Sequence, residues 1–112
     1  MTTLQAVVLP AEAIDALPLV DLEGVPGVRH RVLWRDAASM AGVLRIPAGG
    51  HLGAHTHREN HHHMWVLEGE ADVVGRRVGP GAYAHVPAGV EHDVDARDTG
   101  GCTVYYLYVR QT

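Results

Sequence analysis

The stretch Gly49-Gly50-His51-Leu52-Gly53-Ala54-His55-Thr56-His57-Arg58-Glu59-Asn60-His61-His62-His63-Met64-Trp65-Val66-Leu67-Glu68-Gly69 holds six of the nine histidines in this chain. Glycines 49, 50 and 53 disfavour a helix, and His63–Glu68 reads as a strand. On a strand, residues two apart face the same side, so His55 and His57 can offer their imidazoles to one point. Neutral imidazole is the commonest ligand for borderline divalent metals. The next strand can add one of His61, His62 or His63. Neighbours alternate faces, so these three cannot all reach a single ion. His92, after the turn Pro87-Ala88-Gly89, is available as a fourth ligand.

Other chemistries fit the segment less well. His57 and His61 have the spacing of a helical zinc-protease motif, but Arg58 stands where that motif needs its catalytic Glu. His57-Arg58-Glu59 matches the first half of a zinc-deaminase signature, whose second half needs cysteines that this chain lacks. The plain alternative is a polar loop with clustered surface histidines. Taken singly, His30, His51, His61 and His63 read as surface residues, and His85 as a residue packed on a strand.

Working outward, the same texture continues on both sides. Val28–Trp34, Gly42–Ile46, His63–Glu68, Ala71–Val74, Tyr83–Val86, Val90–Val94 and Thr103–Val109 are short runs rich in Val, Leu, Tyr or Trp. Gly, Pro or Asp punctuates them. Many short strands with Gly/Pro turns predict an all-β sandwich or barrel, and no gap holds the crossover helix of a parallel sheet. Before about Gly27 the chain is irregular, with Pro10, Pro18 and Pro26 dividing it. One helical turn is expected within Pro10–Leu17 and a short strand at Leu19–Leu22. The expected organisation is an N-terminal segment, 1–27, followed by one barrel domain, 28–112.

Composition narrows the function classes. With 112 residues there is room for one domain, and 46% hydrophobic with 20% charged residues is the make-up of a globular chain. A net charge of −4 gives no electrostatic reason to expect nucleic acid. No apolar run nears the ~20 residues that span a bilayer, and no basic leader precedes Arg29, so a cytoplasmic protein is the expectation. Cys102 is the single cysteine, which removes an intrachain disulfide and any CxxC motif.

These residues resemble the cupins. The first cupin motif, G-x5-H-x-H-x3-4-E-x6-G, is matched by Gly49, His55, His57 and Gly69, with His62 at the Glu position. The second, G-x5-P-x-G-x2-H-x3-N, is matched by Gly81, Pro87, Gly89 and His92, with Ala96 in place of Asn. The motifs cover residues 49 to 96, and the flanking strands extend the likeness from about Val28 to Arg110. The resemblance implies a double-stranded β-helix, the jelly-roll barrel of cupins, holding one metal near its mouth. Its expected ligands here are His55, His57, His62 and His92. Within the family, the chain is most similar to small single-domain bacterial cupins with a four-histidine manganese site.

A histidine at the Glu position leaves a divalent ion its full charge, which favours an anionic ligand or an enolate. The four ligands suit Mn, Fe, Ni, Cu or Zn, and the resemblance tilts the expectation to Mn or Fe. Three functions follow as expectations: an oxygen-using, dioxygenase-type oxidoreductase acting on a small chelating enol or diol; a non-catalytic metabolite- or sugar-binding cupin; and a metal-dependent isomerase. An isomerase needs a general base, for which Glu59, Glu68 and Glu91 look misplaced and His51, Tyr83 or His85 have no specific support. Catalytic residues are left unassigned. Met64, Val66, Trp65, Tyr83, Tyr105, Tyr106 and Tyr108 are candidates to line or close the pocket, or to form core and dimer surface. A homodimer is expected, with Leu4–Leu22 pairing to the neighbouring chain and apolar groups of the His61–Leu67 strand covered by it.

Overall fold

A computed structural model describes residues 5–53 and 59–111. Among the described residues, a short helix α1 (Ala11–Asp15) is followed by nine strands: β1 (Val20–Asp21), β2 (Arg29–Arg35), β3 (Ser39–Pro47), β4 (Asn60–Gly69), β5 (Ala71–Val73), β6 (Arg76–Val78), β7 (Tyr83–Val86), β8 (Val94–Asp95) and β9 (Gly101–Arg110). They form a six-stranded sheet of order β1-β2-β3-β9-β4-β7 and a three-stranded sheet of order β6-β5-β8. Every strand pairing is antiparallel. This is the all-β double-stranded β-helix that the sequence predicts.

The pattern of inward residues explains the closure. Along β4, His62, Met64 and Val66 are buried while the residues between them are more exposed, the period of two of a strand with one face in a core. Cys102, Val104 and Tyr106 on β9 and Leu44 and Ile46 on β3 supply the same face, and Val73, Val94 and Ala96 close it from the smaller sheet. Residues 49–52 extend that smaller sheet: Gly49 N donates to Ala96 O, and Leu52 N to Val94 O.

Turns carry the residues their geometry needs. Between β2 and β3, Asp36 Oδ1 accepts the backbone N–H groups of Ala38 and Ser39, both at 2.7 Å. These bonds, with one from the Trp34 indole, hold the Asp36 carboxyl below its ordinary pKa. Where β4 ends beside the start of β9, Gly69 has φ +74° and a Cβ there would run into the Gly101 carbonyl.

The structure adjusts several expected boundaries. Val90–Val94 is mostly not strand: Val90 N closes the turn onto Pro87 O, and only Val94 joins β8. β6 is a strand without an apolar run to mark it, because Arg76 and Arg77 face solvent and Arg77 pairs with Asp72 across the hairpin. The N-terminal segment docks on its own barrel, with Val20 opposite His30 and Arg31 Nε donating to Leu17 O at 3.0 Å. Among the described residues, no helix is long and apolar enough to cross a membrane.

Candidate metal centre and cavity

His62, on β4 of the large sheet, and His92, in the turn that leads into β8 of the small one, meet inside the barrel. Their relative exposures are 1% and 4%. His62 Nδ1 lies 3.1 Å from His92 Nε2. His92 Nδ1 is 3.0 Å from the Val90 carbonyl, which can only accept, so the proton sits on Nδ1 and Nε2 turns its lone pair inward. A backbone carbonyl that fixes the tautomer and aims the other nitrogen is the usual outer support of a metal-ligating histidine. On its other side His62 stacks on Tyr108, with ring centroids 4.3 Å apart. The strand register sets this, since His62 is opposite Tyr108 on β9 and Val86 on β7.

Two of the four expected ligands, His55 and His57, lie outside the described residues. Among the described residues no three His, Cys, Asp or Glu side chains gather as a metal site. The buried pair of imidazoles with a carbonyl-fixed tautomer is nevertheless a donor set that suits a borderline divalent ion.

The other histidines are elsewhere. His63 stacks on His85 at 4.6 Å with the rings 7° from parallel, and its Nδ1 is 2.6 Å from the Tyr83 hydroxyl. His61 Nδ1 accepts the Ala88 N–H at 3.1 Å. These groups lie on the face of the large sheet turned away from the core, so His61 and His63 do not reach the His62–His92 pair. Burial, with His85 and His61 beside it, lowers the pKa of His63. His51 pairs with Asp93 at 3.1 Å, and both are partly exposed.

A cavity of about 400 Å³ is lined by Tyr108, the residue that stacks on His62, and by neither histidine of the pair. Leu22, Val25, Met40, Leu44 and Leu52 give it apolar walls, and Tyr108 separates it from His62. Of the aromatics expected to line a pocket, Tyr106 and Tyr108 do so. Met64 and Val66 are core. Trp65, Tyr83 and Tyr105 sit instead on the outer face, where Trp65 contacts both tyrosine rings.

His30, expected at the surface, instead lines this cavity together with two further polar groups, Glu23 and Asn60. His30 Nδ1 lies 3.2 Å from the Tyr106 hydroxyl. Burial, helped by the Arg35 guanidinium, lowers the His30 pKa below the ordinary imidazole value. Burial also raises the Tyr106 phenol. The β2–β3 pairing, with His30 opposite Leu44, is what turns His30 toward the cavity.

The family model of the ChrR cupin-like domain matches residues 8–110. Among solved structures, an RmlC-like cupin from Shewanella frigidimarina superposes with a TM-score of 0.74 at 22% identity, over 87% of this chain and 86% of that one. A protein from Thermotoga maritima described as a predicted oxalate decarboxylase gives a TM-score of 0.78 at 14% identity, over 94% of this chain and 100% of that one. The anti-sigma protein ChrR of Rhodobacter sphaeroides, in its complex with SigE, gives 0.68 at 26% identity; the match covers 83% of this chain and 49% of that one. No curated protein matches the chain. The match to the family over nearly the whole barrel, on a double-stranded β-helix with paired core histidines, makes this chain a cupin of the ChrR cupin-like domain family.

Proposed function

We propose that this cupin is a metal-dependent oxidoreductase of the dioxygenase type, acting on a small enol or diol that chelates through two oxygens. His55, His57, His62 and His92 would hold one divalent transition metal, Mn or Fe by preference. The observation that carries the reading is the buried His62–His92 pair, with Tyr108 reaching from His62 to a largely apolar cavity of about 400 Å³, a size suited to a small molecule. When bound, the ion would supply Lewis-acid polarisation of an enol oxygen and redox capacity toward O2. The chain's own residues do the rest. Val90 fixes the tautomer of His92, Tyr108 holds the His62 ring in place, and the leucine, valine and methionine walls keep water from the substrate.

A second reading is a regulatory binding domain without turnover. It is favoured by the 26% identity to the anti-sigma protein ChrR over 83% of this chain.

Oxygen uptake by the Mn- and Fe-loaded protein decides between them, across β-dicarbonyl, catechol and enediol compounds, with His62→Glu as comparison. Substrate-dependent uptake that disappears with the metal supports the oxidoreductase. Tight binding without uptake under either metal moves the assignment to a binding domain. Exchange of a substrate proton in D2O without uptake points to an isomerase, for which Glu23 in the cavity lining is the available carboxylate.

A further inference from the structure

The cavity lining carries a polar pair that the proposed chemistry does not use. Tyr106 is 3% exposed, and its hydroxyl faces His30 Nδ1 at 3.2 Å. Phenylalanine would fill the same apolar space without a hydroxyl to satisfy. The fold also makes room for this ring: Gly42 lies opposite Tyr106 in the sheet, and a Cβ at Gly42 would collide with the ring and its hydroxyl. Position 42 is thus committed to keeping the Tyr106 hydroxyl against the cavity wall.

Resting on the chelating role of His62 and His92 above, we propose that the substrate has a neutral, apolar body ending in a hydroxyl, and that the Tyr106–His30 pair receives that hydroxyl. A neutral imidazole and a phenol can each donate or accept, so the pair matches a group that does both. Arg35 stands near enough to act on both His30 and Tyr106, but it is not among the residues that line the cavity; the charged residue there is Glu23, and its charge opposes a second anion. Low pKa at His30 keeps the imidazole neutral at pH 7, consistent with that preference.

The test uses three probes with one chelating end: 1-phenylbutane-1,3-dione and its para-hydroxy and para-carboxy derivatives. Their affinities are measured by calorimetry on the full chain, as purified and loaded with zinc, which has no redox chemistry. The hydroxy probe is expected to bind about tenfold more tightly than the parent, the worth of one well-made hydrogen bond, and the carboxy probe more weakly than the parent. Tyr106→Phe should bind the parent within about twofold of wild type and lose the preference for the hydroxy probe. Glu23→Gln should recover affinity for the carboxy probe. Equal binding of parent and hydroxy probe, a preference that survives in Tyr106→Phe, or no binding of any probe overturns the proposal. Oxygen uptake without hydroxyl preference removes this inference alone, whereas hydroxyl preference without uptake removes the oxidoreductase reading alone.

Discussion

His62 Nδ1 and His92 Nε2 stand 3.1 Å apart although 30 residues separate them in the chain. Their meeting depends on closure of the barrel, because β4 belongs to the large sheet and His92 leads into β8 of the small one. The proton on His92 Nδ1, held by Val90, leaves a lone pair pointing into the core. That lone pair accepts the His62 Nδ1–H, and a metal ion bound by both nitrogens would take the place of this proton.

Metal content should therefore separate the histidines by face. His62→Ala and His92→Ala are expected to lose most of the bound metal, at least a tenfold fall in affinity. His61→Ala and His63→Ala, on the outer face, should stay near one ion per chain. Elemental analysis of the purified variants reads this directly. A site emptied by His61→Ala but not by His62→Ala would falsify the assignment.

Acid should release the metal. Each imidazole must be deprotonated to ligate, so occupancy is expected to fall as pH drops below about 6.5. His30 adds a separate effect on the protein itself. Its folded-state pKa is depressed, so the unfolded chain binds the extra proton more readily. The contribution of His30 is complete above the unfolded value near 6.5 and is lost as pH falls through the lowered folded value. Thermal melts of His30→Gln should show a weaker pH dependence than wild type between about pH 5 and 7.

Gly42→Ala should cost about 1–3 kcal/mol, the penalty of overpacking a filled interior. The new methyl would sit 2.5 Å from the Arg31 carbonyl oxygen as well as against Tyr106. Urea denaturation checks the loss, and Tyr106→Phe combined with Gly42→Ala should recover part of it. An unchanged midpoint would show that the ring yields freely.

The outer face of the large sheet is expected to be covered by a second copy of the chain. Trp34, Trp65 and Tyr83 are 44%, 36% and 51% exposed there, and Trp65 contacts the Tyr83 and Tyr105 rings. An apolar aromatic face of this kind is unusual on a monomer. Light scattering at micromolar concentration should give a dimer mass, and Trp65→Asp with Tyr83→Asp should give a monomer. A wild-type monomer refutes the expectation.

Strands whose side chains alternate between core and solvent were readable directly: Tyr83–Val86 is β7 residue for residue. β6 was not, because a strand with two arginines has no apolar face to announce it. Val90–Val94 looked like a strand by composition, yet the hydrogen bond from Val90 N to Pro87 O turns the chain there. Alternation also assigned His61 and His63 to the face away from His62. Glu23 and His30 stayed hidden, since their place in the cavity follows from β1 docking on β2 and from the turn between them, which are long-range outcomes. His55 and His57 lie outside the described residues, so their part rests on the motif.

One wall of the cavity is a turn. From Leu22 to Val28 it is laced by backbone bonds from Leu22 N to Val28 O at 2.8 Å, Val25 N to Leu22 O at 3.2 Å and Val28 N to Val25 O at 3.3 Å. Opening such a turn takes much less free energy than separating strands within a six-stranded sheet. The consequence is kinetic: this wall opens at less cost than the sheet walls do, and an opening here that admits a ligand also sets its residence time. Deuterium exchange at the amides of Leu22, Val25 and Val28 then serves as a clock for ligand escape, slowing as the cavity fills while the amides of β4 and β9 keep their own pace.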